Sequence, residues 1–175
     1  MVTSSEHPSE DLQGWIAGRV PEGWFTGPPE VTSDRDEVLI VGTLAEPELA
    51  PDAKPETVSS SRVARIEGFR EDTRTHRIRI AREMEHRFGR KVSWGARCGQ
   101  VEKLFTTLSV PAMTRLRMPE RRVLDTLVDA GVARSRSHAL AWCVGLVAER
   151  QEDWLKGLRE ALSHVEKARA EGPTA

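Results

Sequence analysis

The stretch between Met113 and Arg150 constrains this chain more than any other, because its punctuation leaves few ways to fold. Met113-Thr-Arg-Leu-Arg-Met-Pro119 alternates as a short strand does, and Pro119 both ends the alternation and suits the first turn of a helix. Val123, Leu124, Leu127 and Val128 follow at helical spacing, and Gly131 stops that run. Ser135-Arg136-Ser137 then supplies a cap for Ala139 to Val147, a run apolar on nearly every side. The order read is strand, helix, glycine turn, serine cap, buried helix.

The remaining chain has less definite grammar. Its 175 residues suffice for one ordinary core, or for two small ones joined by a linker. Residues 1–28 read as a mobile acidic N-terminal tail, with docking points near Leu12–Trp15 and at Trp24-Phe25. A short β segment over 29–44 includes the β-branched run Glu37 to Leu44 and pairs as a hairpin with Glu30-Val31-Thr32. Residues 45–61 form a Pro/Ser linker. A basic helical region spans 62–110. Its first helix carries Ile66, Phe69, Thr73, His76, Ile80, Met84 and Phe88 on one stripe and stops at Gly89; its second runs from Ser93 or Trp94 to Leu108. After the 111–150 module, residues 151–175 hold an amphipathic helix from about Glu152 to Ala170 and a tail that Gly172-Pro173 opens.

The overall charge of −1 conceals a strong division. Residues 1–61 hold 3 basic against 12 acidic side chains, residues 62–122 hold 16 against 7, and residues 123–175 hold 7 against 8. An acidic head therefore precedes a basic middle, and a near-neutral total does not exclude a polyanion partner. Local pairs such as Arg70/Glu67, Arg82/Glu85 and Arg87/Glu83 account for individual residues but not for the excess, which phosphate neutralisation would explain.

Catalytic signals are absent from this sequence. It lacks a glycine-rich phosphate loop, a GxSxG elbow and an HExxH pair. His76 and His86 are spaced so that they do not converge on one helix face, so neither a metal nor a cofactor is expected. Cys98 and Cys143 stand singly and read as small buried hydrophobes. An enzyme is the least supported class. No run nears the roughly 18 apolar residues of a membrane span, and no leader pattern opens the chain, so a cytoplasmic protein is expected.

The 112–150 stretch resembles the ribbon-helix-helix family of DNA-binding proteins, the Arc- and MetJ-like β-ribbon readers. Met113 to Pro119 matches the family strand, Leu124, Leu127 and Val128 its first helix, Gly131 its turn, and Arg136-Ser137-His138-Ala139-Leu140 the signature opening its second helix. His138 stands where the family usually has glutamate, and more than a hundred residues precede the strand. The resemblance implies a fold that is mainly α with minor β: a helical protein with a C-terminal ribbon-helix-helix module and a short N-terminal strand pair. It further implies a homodimer binding double-stranded DNA through a ribbon in the major groove. Met113, Arg115 and Arg117 would contact bases, arginine being suited to guanine O6 and N7. Ser135, Arg136 and Ser137 would hold phosphate at a helix N-terminus. Leu116, Met118, Leu124, Leu127, Leu140, Trp142, Val144 and Val147 would form the dimer core, and Arg77, Arg90 and Lys91 would extend the backbone footprint. The expected function is a dimeric transcriptional regulator. The alternatives are an adaptor or antitoxin-like protein that engages a protein partner through its acidic segment, an RNA- or ribosome-associated protein, and a helical domain in which 114–118 is a plain linker. In a further alternative the acidic head folds over the basic middle and weakens polyanion binding.

Overall fold

The computed structural model describes residues 10–171 and divides at Pro111 into two compact units. The first nine residues of the expected acidic tail, and the Gly172-Pro173 stop, lie outside the described residues.

The first unit is a mixed four-stranded sheet with helices against one face. Helix α1 (Glu10–Arg19) leads to strands β1 (Glu30–Ser33) and β2 (Glu37–Thr43). The turn between them is set by Asp34, whose Oδ1 accepts the backbone N–H of Asp36 at 2.9 Å and of Glu37 at 2.7 Å. This is the usual reason an aspartate sits at such a corner. Helices α2 (Pro55–Asp72) and α3 (Arg74–Phe88) cross over to β3 (Lys91–Cys98), which runs parallel to β2. Strand β4 (Val101–Leu104) returns antiparallel to β3, and the sheet order is β1-β2-β3-β4.

Val38 and Ile40 from β2 and Trp94, Ala96 and Cys98 from β3 line one sheet face, since alternate residues share a side. Leu12 and Ile16 of α1 pack with Ile80 and Met84 of α3 against Val38, Ile40 and Trp94, while Ile66 of α2 joins Leu44, Ala96 and Cys98. On that same face Gly42 leaves a gap that the Phe25 ring fills, and a Cβ at position 42 would overlap the ring. Trp24 extends this filling, its ring centroid 5.5 Å from that of Phe69 and 6.2 Å from that of Trp94.

The second unit consists of α4 (Met118–Asp129), α5 (Arg136–Arg150) and α6 (Glu152–Glu171). Pro119 sits in the first turn of α4, and Gly131 follows its end with φ +74°, a left-handed conformation that favours glycine. Leu124, Ala133 and Ala139 form its buried cluster, with Leu116, Leu127, Val128, Leu140 and Cys143 packed around them.

Several expectations are corrected. The sheet lies in the first unit and has four strands rather than a strand pair, and residues 113–117 form no strand. The chain therefore does not carry a C-terminal ribbon-helix-helix module. Alternation supplies a strand's side-chain pattern but not its hydrogen-bond partners, and no strand of the second unit faces this segment among the described residues. The helix expected from Ser93 to Leu108 is instead the β3–β4 hairpin. Trp94, Ala96 and Cys98 also fit a period of two, and burial against α2 and α3 decided between the two periods. Residues 10–19 form a docked helix rather than a tail, because Leu12 and Ile16 bury against the sheet.

The long helix expected from residue 62 begins earlier, at Pro55, and breaks at Thr73. There the Thr73 hydroxyl donates to the Phe69 carbonyl at 2.6 Å, while Arg77 donates to Thr73 Oγ1 at 3.0 Å and to the Arg70 carbonyl at 2.6 Å. A threonine that back-bonds to its own preceding turn bends a helix, and the arginine takes up the carbonyl that the bend exposes.

Candidate nucleic-acid interface

The sequence places six arginines and three acidic residues between positions 112 and 136. The structure sorts these arginines by what they already hold. Arg136 grips Asp125 through two bonds, Nε at 2.6 Å and Nη2 at 2.8 Å, tying the first turn of α5 to α4. The Arg136 hydrogen bond holds the Asp125 carboxyl below the usual aspartate range, and the same bond raises the guanidinium. Arg121 donates to the Leu116 carbonyl at 2.7 Å and fastens the segment before α4 onto that helix. Arg115, Arg117, Arg122 and Arg134 are exposed, and their side chains make no hydrogen bond or ion pair among the described residues. Leu116 is half-buried between Arg115 and Arg117, so the segment is pinned at its centre and carries a free cation on either side.

At the start of α5 the Ser135 hydroxyl accepts the His138 backbone N–H at 3.2 Å, and His138 Nδ1 accepts the Arg134 backbone N–H at 3.1 Å. His138 thus reaches back across the cap to the residue before it, closing the start of α5 without the bond to the cap's own N–H that a glutamate at this position makes. Of the three residues expected at phosphate, Ser135 is occupied as a cap and Arg136 as an ion pair, while Ser137 is exposed. Of the expected base contacts, Met113 is 99% exposed, and Arg115 and Arg117 are exposed beside it.

The residues expected in a dimer core divide. Leu116, Leu124, Leu127 and Leu140 pack inside the second unit, whereas Met118, Trp142, Val144 and Val147 remain exposed. The backbone footprint expected of the first unit is corrected. Arg77 is 6% exposed and lies beneath the Phe105 ring, 4.7 Å from its centroid, where no phosphate reaches. Burial pushes its pKa down. Lys91 is paired with Glu85 at 2.9 Å, and Arg90 is half-buried.

Some cations of the basic middle are paired, while Arg65, Arg70, Arg74, Arg79 and Arg82 are exposed and their side chains make no hydrogen bond or ion pair among the described residues. Arg62 meets Glu46, Arg87 meets Asp11, and Arg97 meets both Glu30 and Glu102. Lys103 meets Glu67 within the basic middle itself. A few of the opposed charges of head and middle are therefore paired within one folded unit. Sequence reasoning missed Arg122 and Arg134 as free cations and Asp125 as the residue that claims Arg136. The i-to-i+11 separation of Asp125 and Arg136 is visible only once α4 and α5 are folded back on each other.

Comparison with known proteins places both units. Residues 10–104 match a family described as Rv1265-like protein, N-terminal domain, and residues 117–169 match one described as Mb1296 C-terminal domain. The chain is 54% identical over 160 residues to uncharacterized protein Mb1296 of Mycobacterium bovis, covering 91% of this chain and 69% of that protein. The same identity and coverage hold for uncharacterized protein Rv1265 of Mycobacterium tuberculosis. No solved structure matches.

Proposed function

The chain belongs to the Rv1265-like family, and from that premise we propose that it is a cytoplasmic, homodimeric protein that binds double-stranded DNA through its second unit and regulates transcription. The observation that carries this reading is the set of uncommitted arginines in the second unit. Arg115, Arg117, Arg122 and Arg134 are exposed and their side chains make no hydrogen bond or ion pair among the described residues, whereas Arg121 and Arg136 of the same unit are held by its own groups. Four uncommitted guanidinium groups on a 64-residue unit are a surface for phosphates, whose neutralisation releases counterions. Binding rather than catalysis is the role such a surface serves.

The extended 112–117 segment acts as a short arm. Arms of this kind lay arginine against base edges or into the minor groove, so Met113, Arg115 and Arg117 keep the role of sequence-reading residues without any ribbon. Arg122, Arg134 and Ser137 contact backbone. Arg136 supports the site by fixing α5 on α4.

No helix among the described residues is long and apolar enough to cross a membrane. A DNA partner would place the protein in the cytoplasm.

The test is fluorescence anisotropy of the full chain with duplex DNA over a salt series. Arg115→Ala with Arg117→Ala should lower affinity about tenfold or more and flatten sequence preference, each guanine contact being worth roughly 1–3 kcal/mol. Arg122→Ala with Arg134→Ala should weaken all sequences alike and reduce the salt slope by about 0.9 for each phosphate that is no longer neutralised. Affinity unchanged in both double variants would end the DNA reading. Equal loss on a single-stranded RNA probe would redirect it to RNA.

A further inference from the structure

The outer face of α3 carries a row of cations that the rest of the chain leaves unanswered. The helix buries Arg77, Ile80 and Met84 against the first unit, so its outward side belongs to Arg74, Thr75, Arg79, Arg82 and His86, all exposed. Arg79, Arg82 and His86 follow at spacings of three and four and share one stripe. Arg74 lies eight residues before Arg82, about 12 Å along the axis and toward one edge of that face.

Acids for these arginines stand nearby in sequence and are engaged elsewhere. Glu83 lies four residues after Arg79, yet both its carboxylate oxygens accept from Arg19 of α1, at 2.6 and 2.8 Å. Glu85 lies three residues after Arg82, yet it accepts from Lys91 of β3 at 2.9 Å. The local pairs that would neutralise an isolated helix are therefore not made. Arg74, Arg79 and Arg82 are left without a hydrogen bond or ion pair among the described residues. The excess is felt inside the unit too: burial lowers the Arg77 pKa, and repulsion from Arg70 and Arg74 adds to it against the pull of Glu71.

We infer that the outer face of α3 is a second DNA contact, which holds the phosphate backbone without reading bases. A row of arginines is complementary to a row of phosphates, each guanidinium fork matching two phosphate oxygens. The face is too broad to enter a groove. Helix α1 lies beside α3, tied to it by Arg19–Glu83 and Arg87–Asp11. Two helices abreast measure about 20 Å, against roughly 12 Å for the major groove. Contacts confined to backbone add affinity and fix position but confer no sequence preference. A membrane surface fits less well, because a helix lying on lipid turns apolar side chains outward, and Ile78 is the one exposed large apolar residue of α3. The choice of DNA as the polyanion rests on the function proposed above; the row of cations does not.

Fluorescence anisotropy of the full chain with duplexes of several sequences, over a salt series, tests the contact. Arg79→Ala with Arg82→Ala should weaken binding to every duplex alike, about tenfold at low salt, and reduce the salt slope by about 1.8. Arg79→Lys with Arg82→Lys should keep most of that slope, since the charge remains. A circular dichroism spectrum like that of the native chain separates lost contact from lost fold. Unchanged affinity and slope in the alanine pair, with binding lost in the second-unit variants, overturns the α3 contact and leaves the function proposed above standing. Loss in the α3 pair with the second-unit variants unaffected sustains the contact and overturns the second-unit reading. A native chain that binds no duplex at any salt overturns both. A loss confined to some of the duplexes overturns the backbone assignment, and a loss seen on vesicles of anionic phospholipid but on no duplex overturns the choice of DNA.

Discussion

The two units of this chain use similar side chains for opposite ends. In the first, Ile40, Ile66, Ile80, Met84 and Trp94 are enclosed between helices and sheet, and Arg19, Arg62 and Arg97 hold carboxylates. In the second, only Leu124, Ala133 and Ala139 are buried among the described residues, while Trp142, Val144, Trp154, Leu158 and Leu162 lie open. Domain stability comes from burial and paired charge, and association draws on what folding leaves over. The first unit encloses a large apolar core of its own and ties some of its cations to carboxylates. The second leaves more of its large apolar side chains open than it buries.

This contrast is open to measurement. Its largest test is an alanine scan of stability under conditions where the chain is monomeric. Ile80→Ala in the first core should cost about 3–4 kcal/mol in chemical denaturation, the cavity of a fully buried aliphatic side chain. Leu158→Ala should change stability by under about 0.5 kcal/mol, as surface substitutions do. Comparable losses at both positions would erase the distinction.

Next in size is Gly42→Ala, which should destabilise the first unit by about 1–3 kcal/mol because the new methyl overlaps the Phe25 ring. Shortening the ring with Phe25→Leu in the same chain should recover part of that loss, read as a non-additive pair in a double-mutant cycle. A smaller effect is expected at Ser135→Ala, about 1 kcal/mol for a lost N-cap, seen as fraying of α5 by amide exchange.

The smallest test concerns pH. Asp125 is held below the ordinary aspartate value of 3.8 by its bond to Arg136, so its folded pKa lies under its unfolded one. Its contribution is then fully present above pH 3.8 and is lost as pH falls through the lowered value. Arg136→Gln should move the Asp125 carboxyl midpoint upward in an NMR titration. An unmoved midpoint would show that the α4–α5 tie does not persist in solution.

The helices of the second unit were legible because their signals are local. Pro119, Gly131 and Ser135 mark ends, and the apolar spacing between them admits one period. The first unit was legible at its hairpin and in the helical stripe of α2 and α3 but obscure at β3 and β4, since β2 and β3 pair in parallel across the whole length of α2 and α3. Nothing local in Ser93 to Leu104 announces a partner more than fifty residues away, and Trp94, Ala96 and Cys98 satisfy a strand face as readily as part of a helix. The free arginines were only partly legible. Charge is visible in sequence, but whether a carboxylate has already claimed it depends on approaches such as Arg97 to Glu30.

Phe25 and Gly42 have a consequence beyond stability. A ring from the loop before β1 occupies the volume that β2 leaves vacant, so the two positions share one space between them. Neither is free to vary alone: a side chain gained at 42 requires a smaller one at 25, and an aromatic at 25 holds 42 to glycine. Two sites that look unrelated along the chain are thereby bound to a common history, and changes at one should be found together with changes at the other wherever this sheet is built.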